Sequence, residues 1–526
     1  MSEDTIKDID PDELDALIAR VREAKEHKLA LGPDDCQLLL DALLTLATMH
    51  ERLADNDVTI GKLQKLVGMV RSSETLGEQL KAGKPKRQQR RKKPTAPTVK
   101  PKVNHHKIEH VCKGDICPEC GKGKLYKYEP ATLLRITGQS PFVPEQHVME
   151  RLRCNACGAY FTAELPEEVK ADGDAGQKYG FSARTMMVLG KFFAGSPYYR
   201  QGSLQGLIGV SLSASTIWDQ AEKASNDIFP VFRYLANVLA ADAVHFEADD
   251  TTNKVLGQKP IEKPRRNSDK TRTRTGLYTS GMIATTIEGH KIVLFNTDIG
   301  HAGEFLDDIL KHRNPSLSPP IIMTDALSSN RPTVIDDFSH GLCNAHGRRQ
   351  FYDVHCNFPQ EVEHIIERYG EIWVNEKEIE AQAMSATKRL AYHEKHSLPV
   401  MEEIRAWGNG LLAAEKVDEH SGLAKAIRYF DNHYDGLTMF CKVEGAKLDN
   451  NIMEGQLKLV ALNRKNAGFF KSAIGAAVGD VLTSIIATCS ANGVNAFEYL
   501  NALQQNADDV KAHPEKYLPW NFKENG

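Results

Sequence analysis

Residues 244–251, Val-His-Phe-Glu-Ala-Asp-Asp-Thr, decide the fold. An apolar run ending in two adjacent acids reads as a strand that delivers carboxylates to the rim of a sheet. Residues 319–326, Pro-Pro-Ile-Ile-Met-Thr-Asp-Ala, repeat the device as a short buried strand ending in Asp325. Between them, 276–286 (GLYTSGMIATT) and 291–300 (KIVLFNTDIG) read as the next strands of a meander. Residues 357–435 carry amphipathic helical periodicity and no strand signal, and helix resumes at Asn450. Strands and helices thus alternate across 242–500, and a third acid, Glu454, lies on the resumed helix just after Asn450-Asn451.

Asp249, Asp325 and Glu454 are the candidate catalytic acids. Carboxylates at strand ends can be met by a helical carboxylate packed across the same rim. Such an oxygen-rich set suits Mg²⁺ or Mn²⁺. Two ions so held can activate an attacking hydroxyl and stabilise the leaving oxygen of an in-line phosphodiester displacement. Spacing alone does not separate Asp249 from Asp250, and each acid by itself fits a solvated face. Cations that can meet charge on phosphate oxygens are Arg348, Arg349, Lys458, Arg464 and Lys465. Residues 343–351 (CNAHGRRQF) offer Cys343 and His346 as two metal-capable side chains. Alternatively His346 positions DNA or a water, Arg348 and Arg349 grip phosphate, and Cys343 is simply buried. Residues 463–470 (NRKNAGFF) read as a charged loop or a phosphate contact near the helix of Glu454.

Working towards the N-terminus, 181–238 reads as all helix. Within it SLQGLIGVSLSASTIWDQAEKA resembles a helix-turn-helix: one helix over Leu204–Ile208, a turn at Gly209, and a second helix from Ser213 or Ser215 with Ile217 and Trp218 towards the core. Residues 106–166 contain Cys117-x-x-Cys120 and Cys154-x-x-Cys157, each followed by Gly, with room for strands at Leu133–Thr137 and Val148–Arg153. Two such turns complete a tetrahedral thiolate site for a structural zinc, closed to substrate. Residues 76–105 are rich in Pro, Lys and Arg, and the composition predicts a disordered linker. Lys81 to Lys93 hold eight basic residues and no acid. Lys86, Arg87, Arg90, Arg91, Lys92 and Lys93 are therefore candidate DNA-phosphate contacts. In 34–71, Leu39, Leu46, Leu53, Ile60 and Val67 recur every seven residues, with Ala42, Met49, Asn56, Leu63 and Val70 three places on. That seam predicts a coiled coil used for self-association, with Asn56 as its polar register position. Asp34 and Asp35 suit the start of this helix.

The chain of 526 residues is too long for one core. Its 41% hydrophobic and 26% charged residues are ordinary for a globular protein. A net charge of −4 leaves the rest of the chain distinctly acidic once the basic run is set aside. The ten cysteines, four of them paired as Cys-x-x-Cys, suggest metal rather than disulfides. The acidic N-terminus lacks a secretory core, and no uninterrupted apolar stretch approaches the ~18 residues of a membrane helix. A cytoplasmic, nucleoid-associated protein with no membrane contact is the expectation.

Taken together, these motifs resemble the insertion sequence 66 family of bacterial transposases. The resemblance runs from the heptad helix to the final Leu-Pro-Trp-Asn-Phe. It rests on the cysteine motifs, on PYYRQ at Pro197–Gln201, on GVSLSASTIWDQ, on ADDT at Ala248–Thr251, on TDA at Thr324–Ala326, on CNAHGRRQF, and on DNNIMEGQLKLVALNRKN from Asp449 to Asn466. It implies a DDE-type transposase with a multidomain α+β fold. The parts expected are a helical, coiled-coil oligomerisation region (1–75), the basic linker (76–105), a zinc-ribbon-like module (106–166) and a helix-turn-helix-like region (167–240). A ribonuclease-H-like core follows (241–345 and 446–500), interrupted by an all-helical insertion (346–445) and closed by a tail (501–526). The resemblance selects Asp249 over Asp250 and implies Asp249, Asp325 and Glu454 as catalytic acids. It further implies double-stranded DNA as partner, in the form of element ends and target, with possible helper proteins of the same element. Two departures stand out: Gly455 where the family usually has Arg, and Ala-Leu-Ser after Asp325 where an aromatic usually follows Ala. A catalytically inactive zinc-containing DNA-binding regulator, and a nuclease that cuts without joining, are the competing readings. Convergence of the three acids separates the first of these from an enzyme.

Overall fold

A computed structural model describes residues 140–153, 160–173, 176–264 and 271–522, together with 30–40 and parts of 17–27 and 112–125. The four zinc-motif cysteines, the basic run and the heptad positions beyond residue 40 lie outside the described residues, as does Leu133–Thr137. The protein is a mixed α+β structure. It divides into two compact units, Met1–Gln88 with His346–Tyr434, and Gln89–Ala345 with Asp435–Gly526.

The larger unit is built on a five-stranded mixed sheet. Its strands are β3 (His245–Asn253), β6 (Leu277–Thr285), β7 (Lys291–Asp298), β8 (Ile321–Thr324) and β9 (Ser339–Leu342), in the order β7-β6-β3-β8-β9. β7, β6 and β3 form the antiparallel meander, while β8 and β9 join parallel to β3. Outside the sheet lie two two-stranded ribbons, β1 (Arg151–Arg153) with β2 (Tyr160–Thr162), and β4 (Ile261–Pro264) with β5 (Thr271–Arg274). The helices of this unit are α1 (Phe181–Phe192), α2 (Tyr198–Leu207), α3 (Ala214–Tyr234), α4 (Ala302–Leu310), α5 (Asn451–Ala467), α6 (Ala473–Asn492) and α7 (Ala496–Gln505).

Side-chain alternation along the strands assigns the two faces. Phe246, Ala248, Met282, Ala284, Ile292, Leu294 and Ile322 point to one side and share a core with α3, α4 and α6. Ile283, Val293 and Phe295 point to the other and pack on Met453, Leu457 and Val460 of α5. Both faces are covered, and the stretches of β6 and β7 between the two layers, Met282–Ala284 and Ile292–Phe295, are continuously apolar. The tail docks on this unit, with Trp520 stacked on His290 at 4.4 Å between centroids.

Two readings of the sequence need correction. β3 runs to Asn253, so Asp249 sits within the strand and not at its end. The expected strand Val148–Arg153 shortens to Arg151–Arg153. The all-helical reading of 181–238 resolves into α1, α2 and α3, followed by a π-helical turn at Leu235–Ala240. The helix-turn-helix reading matches locally: α2 ends at Leu207, Gly209 takes φ 95°, and Ser213 caps α3 by accepting from the Thr216 N–H. α2 nevertheless begins earlier than expected, at Tyr198.

α6 is long and apolar enough by composition to cross a membrane, yet it is largely buried in this unit. Its polar residues explain its position. Asp480, Ser484, Thr488 and Asn492 recur every fourth residue and accept hydrogen bonds from the N–H groups of Thr297, Phe295, Val293 and Lys291 at 2.7, 2.9, 3.0 and 3.1 Å. Four helical residues rise about 6.0 Å and two strand residues about 6.6 Å, so the two ladders stay in step. Thr488 and Asn492 also donate back to the carbonyls of Val293 and Lys291. The helix thereby takes the place of a sixth strand and closes an edge that would otherwise template aggregation.

The described part of the smaller unit is helical. Helices Pro359–Ala381, Ala386–His396, Leu398–Ala413 and Gly422–Asn432 bury Tyr369, Phe351 and Phe430 in edge-to-face contact. A buried polar chain joins three of them: Ser397 Oγ to His393 Nδ1 at 2.9 Å, His393 Nε2 to Glu376 at 2.8 Å, and Glu376 to Arg389 at 3.0 Å. Ser397 is inaccessible, so the trio is a tie between helices and not a nucleophile. Near the N-terminus residues 33–40 are helical, and Arg20 pairs with Asp35 at 2.8 Å.

The ladder predicts that Thr488→Val, which keeps shape and removes the hydroxyl, leaves the Val293 N–H and C=O buried and unpaired. A loss of about 2–3 kcal/mol in urea unfolding is expected. A loss below about 0.5 kcal/mol would mean that the edge is not held this way.

Candidate active site

Asp249 enters the site from β3. Its neighbours in the strand, Ala248 and Asp250, face the opposite side of the sheet. Asp250 accepts from His301 at 2.8 Å and from the Ala302 N–H at the start of α4 at 3.4 Å. Tyr278 stacks on that His301 ring at 4.2 Å. Asp249 instead faces α5, and one of its carboxylate oxygens accepts from the Asp250 N–H at 2.8 Å. Strand alternation thus separates the two acids that spacing alone left open.

Asp325 arrives from the adjacent parallel strand. β8 pairs Phe246 with Ile322 and Glu247 with Met323, so continuing the register two residues sets Asp325 beside Asp249 on the same face. Its carboxylate accepts from the Leu327 N–H at 3.1 Å and from the buried Asn330 amide at 2.9 Å. β8 stops at Thr324 while β3 runs on, which opens the sheet at this level.

Glu454 comes from the first turn of α5, where the positive end of the helix favours a carboxylate. The turn leading into α5 is fixed by polar contacts. Lys447 forms an ion pair with Glu247, which is fully buried in β3. The Asn344 amide donates to Leu437 O at 2.8 Å and to Leu448 O at 3.1 Å. The Asn450 amide donates to Ala248 O at 3.1 Å, and the Asn450 N–H reaches the buried Cys343 Sγ at 3.3 Å. Cys343 therefore serves as a buried acceptor. Gly281, paired opposite Asp249, lets the helix come close: a Cβ there would meet Met453 Cε at 2.3 Å and Leu457 at 3.1 Å.

Asp249 is the acid whose ionisation its surroundings oppose. Burial drives the Asp249 pKa from 3.8 to about 7. The negative charges of Asp325, Glu454 and Asp250 push the same way, against the Asp250 N–H. A half-buried trio of hard oxygen donors is a chemical fit for Mg²⁺ or Mn²⁺, whose charge would reverse that penalty.

The candidate cations fall in different places. Lys458 and Lys465 are exposed on α5. Arg464 donates to Thr251 Oγ1 and Thr252 Oγ1, both at 3.0 Å, tying the last turn of α5 to the end of β3. NRKN is thus the end of the Glu454 helix, not a loop. His346, Arg348 and Arg349 fall within the smaller unit, where Arg348 lies over the Trp373 ring at 5.0 Å and Arg349 is exposed. Lys86, Arg87, Arg90, Arg91, Lys92 and Lys93 lie outside the described residues, as do Cys117, Cys120, Cys154 and Cys157. Sequence positions still bracket both cysteine pairs. Ile116 bridges Lys124 antiparallel around the first, and Arg153 pairs with Tyr160 around the second.

Sequence reasoning missed Asn330, Asn344, Lys447, Asn450 and Gly281. Asn450 was the one with a visible signal, as a helix-capping residue type beside Asn451. The others act through contacts distant in the chain.

A family model described as Transposase IS66 family matches residues 177–478, more than half of the chain. The uncharacterized protein y4hP of Sinorhizobium fredii is 27% identical over 433 residues, which is 77% of this chain and 73% of that protein. Two further uncharacterized proteins of the same organism match shorter stretches. y4jD is 33% identical over 187 residues and y4qI 31% over 184, and the chain spans 36% and 33% of their lengths.

Two predictions follow from the electrostatics and the clamp. A raised carboxylate pKa leaves stability intact below pH ~4 and costs stability as pH rises to about 7, because the unfolded chain releases the proton first. Asp249→Asn should therefore unfold at a higher temperature than wild type at pH 8 without divalent cations, and the gain should vanish near pH 4. Added Mn²⁺ should stabilise wild type and leave the variant nearly unchanged; equal responses would sink the assignment. Separately, Lys447→Met strands the Glu247 carboxylate in the core, and a loss of about 3–5 kcal/mol is expected in urea unfolding at pH 8.

Proposed function

The chain belongs to the IS66 family of transposases, and we propose that it is a DDE-type enzyme whose larger unit is a ribonuclease-H-like core. The observation that carries this reading is the placement of Asp249, Asp325 and Glu454, from two adjacent parallel strands and one crossing helix, where burial raises the Asp249 pKa and the charges of Asp325 and Glu454 add to the rise. The mixed sheet covered on both faces supports the core assignment.

In this reading Asp249, Asp325 and Glu454 would hold the divalent ions beside one phosphodiester. Bound Mg²⁺ or Mn²⁺ would lower the pKa of the attacking hydroxyl and neutralise charge on the phosphate and the leaving oxygen. The chain's own groups do the rest. Asp250, held by His301, fixes the backbone N–H that orients Asp249. Leu327 N–H and Asn330 orient Asp325. Lys458, one turn beyond Glu454, and Lys465 meet phosphates from exposed positions. The departure at Gly455 leaves open space, since a Cβ there meets nothing within 4 Å, and Lys458 takes over the missing positive charge. Water attack at phosphorus breaks the bond to the neighbouring oxygen and frees a 3′-hydroxyl at the element end. That hydroxyl then attacks a target phosphodiester, and the new P–O bond forms as the target's own 3′-oxygen leaves and takes up a proton.

The remaining modules bind DNA and pair protomers. Cys117, Cys120, Cys154 and Cys157 would hold one structural zinc. The α2–α3 hairpin and the basic run Lys81–Lys93 engage the terminal repeats, and the heptad region joins two protomers. The work is done on the nucleoid, in the cytoplasm.

Purified protein incubated with DNA flanking the gene and Mg²⁺ should give nicked and then joined products. Asp325→Asn and Glu454→Gln should each lower joining by about 10²-fold or more while end binding persists. Joining by either variant at the wild-type rate refutes the assignment. Nicked products that never become joined would make the protein a nuclease.

A further inference from the structure

We infer that the β1–β2 ribbon is a duplex-DNA reader that enters a groove with the face carrying Arg151, Arg153 and Tyr160. The inference deepens the proposed function and rests on it.

The ribbon is short, three residues in each strand. Its register is Arg151 with Thr162, Leu152 with Phe161, and Arg153 with Tyr160, and all six residues are exposed. Alternation places Arg151, Arg153, Tyr160 and Thr162 on one face, and Leu152 and Phe161 on the other.

The charged face fits a polyanion. Both guanidinium groups lie over the Tyr160 ring, at 4.2 Å for Arg151 and 5.5 Å for Arg153. Stacking holds the two side chains extended before binding, which lowers the entropy lost on contact, and leaves their N–H edges free to donate in the ring plane. No acid stands among the six paired residues. The nearest acids downstream, Glu164 and Glu167, are drawn off by Lys170 at 3.0 and 2.9 Å.

Dimensions point the same way. Two strands lie about 4.8 Å apart, and the major groove, about 12 Å wide, admits a two-stranded ribbon with its side chains. Arginine is the side chain that most often reads guanine edges there. The basic run Lys81–Lys93 precedes the ribbon in the chain and supplies sequence-independent phosphate contact. The ribbon then contributes what that run lacks, a fixed pair of forked donors.

The test uses the full chain and fluorescence anisotropy on duplexes carrying the element ends. Arg151→Gln with Arg153→Gln should weaken end binding by about tenfold per arginine. Arg151→Lys with Arg153→Lys should recover the salt-dependent part but not the preference for element ends. Tyr160→Phe should bind like wild type, and Tyr160→Ala should bind as weakly as one arginine variant. Zinc content and circular dichroism, unchanged across the set, exclude misfolding. Normal end binding by the double Gln variant overturns the ribbon assignment and leaves the transposase reading intact. If Leu152→Ser with Phe161→Ser instead lowers the oligomeric mass while the arginine variants bind normally, the ribbon is a contact between protomers. If wild type binds no DNA, both readings fall.

Discussion

The close approach of α5 to the sheet at Gly281 is the contact on which the site depends. A helix ordinarily packs on a sheet at a distance set by side chains on both surfaces. Here the strand contributes none at the position opposite Asp249, and Met453 fills that space. The helix packs on β3 and β6 through Met453, and the residue after it, Glu454, lies on the helix that covers the face of the sheet carrying Asp249. Its approach angle is set by the preceding turn, where Lys447, Leu448 and Asn450 are each tied to β3 or to the exit of β9. An apolar helix could slide along a flat sheet at small cost. One bound by an ion pair to a buried carboxylate and by an amide to a strand carbonyl cannot, since each displaced partner would be left buried and unpaired.

Strand alternation supplies the second constraint. Two consecutive acids cannot face the same side of a strand, so only one of Asp249 and Asp250 can join Asp325 and Glu454. The other still has a use. Asp250 is held by His301 and the start of α4, and its own backbone N–H holds Asp249. The pair works as a lever, with one carboxylate anchored in the far layer and its neighbour oriented in the near one.

Much of this core was legible in the sequence, for physical reasons that also mark where legibility ended. The meander, β8 with Asp325 and the helix of Glu454 follow from hydrophobic runs and turn residues, which are local signals. The extension of β3 past Asp249 was not readable, because the polar residues Thr251–Asn253 are held in strand by pairing with Thr279, Tyr278 and Leu277, not by their own burial. NRKN looked like a loop because its charges outweigh its helical periodicity, and only the packing of Asn463 on Lys191 and of Asn466 on Gly195 shows why the helix continues. The four-residue spacing of Asp480, Ser484, Thr488 and Asn492 was in plain view, yet polar residues at that interval in an apolar helix have no meaning until a strand edge is set beside them. The convergence of three acids separated by 76 and 129 positions is the least local fact of all, and there the resemblance to a transposase family, not periodicity, selected the residues.

The cost of burying Asp249, to which the charges of Asp325, Glu454 and Asp250 add, bears on the proposed role of the site. Bringing a carboxyl pKa from 3.8 to about 7 makes ionising Asp249 roughly 4 kcal/mol harder than in water. A fold that needed only stability would replace one acid with an amide or pull the helix back. This one spends hydrogen bonds from Asp250, Leu327 and Asn330 to keep the strand acids in place, and a glycine and a clamped turn to bring the third over them. Strain of this kind persists where a ligand removes it, and mutual repulsion among oxygens is removed by a divalent cation. The same repulsion gives selectivity. A monovalent ion leaves most of the charge uncompensated, and a soft ion gains little from three carboxylates. In the proposed function, small, hard, doubly charged ions would relieve that penalty, and the phosphate oxygens they bind would follow them into the site.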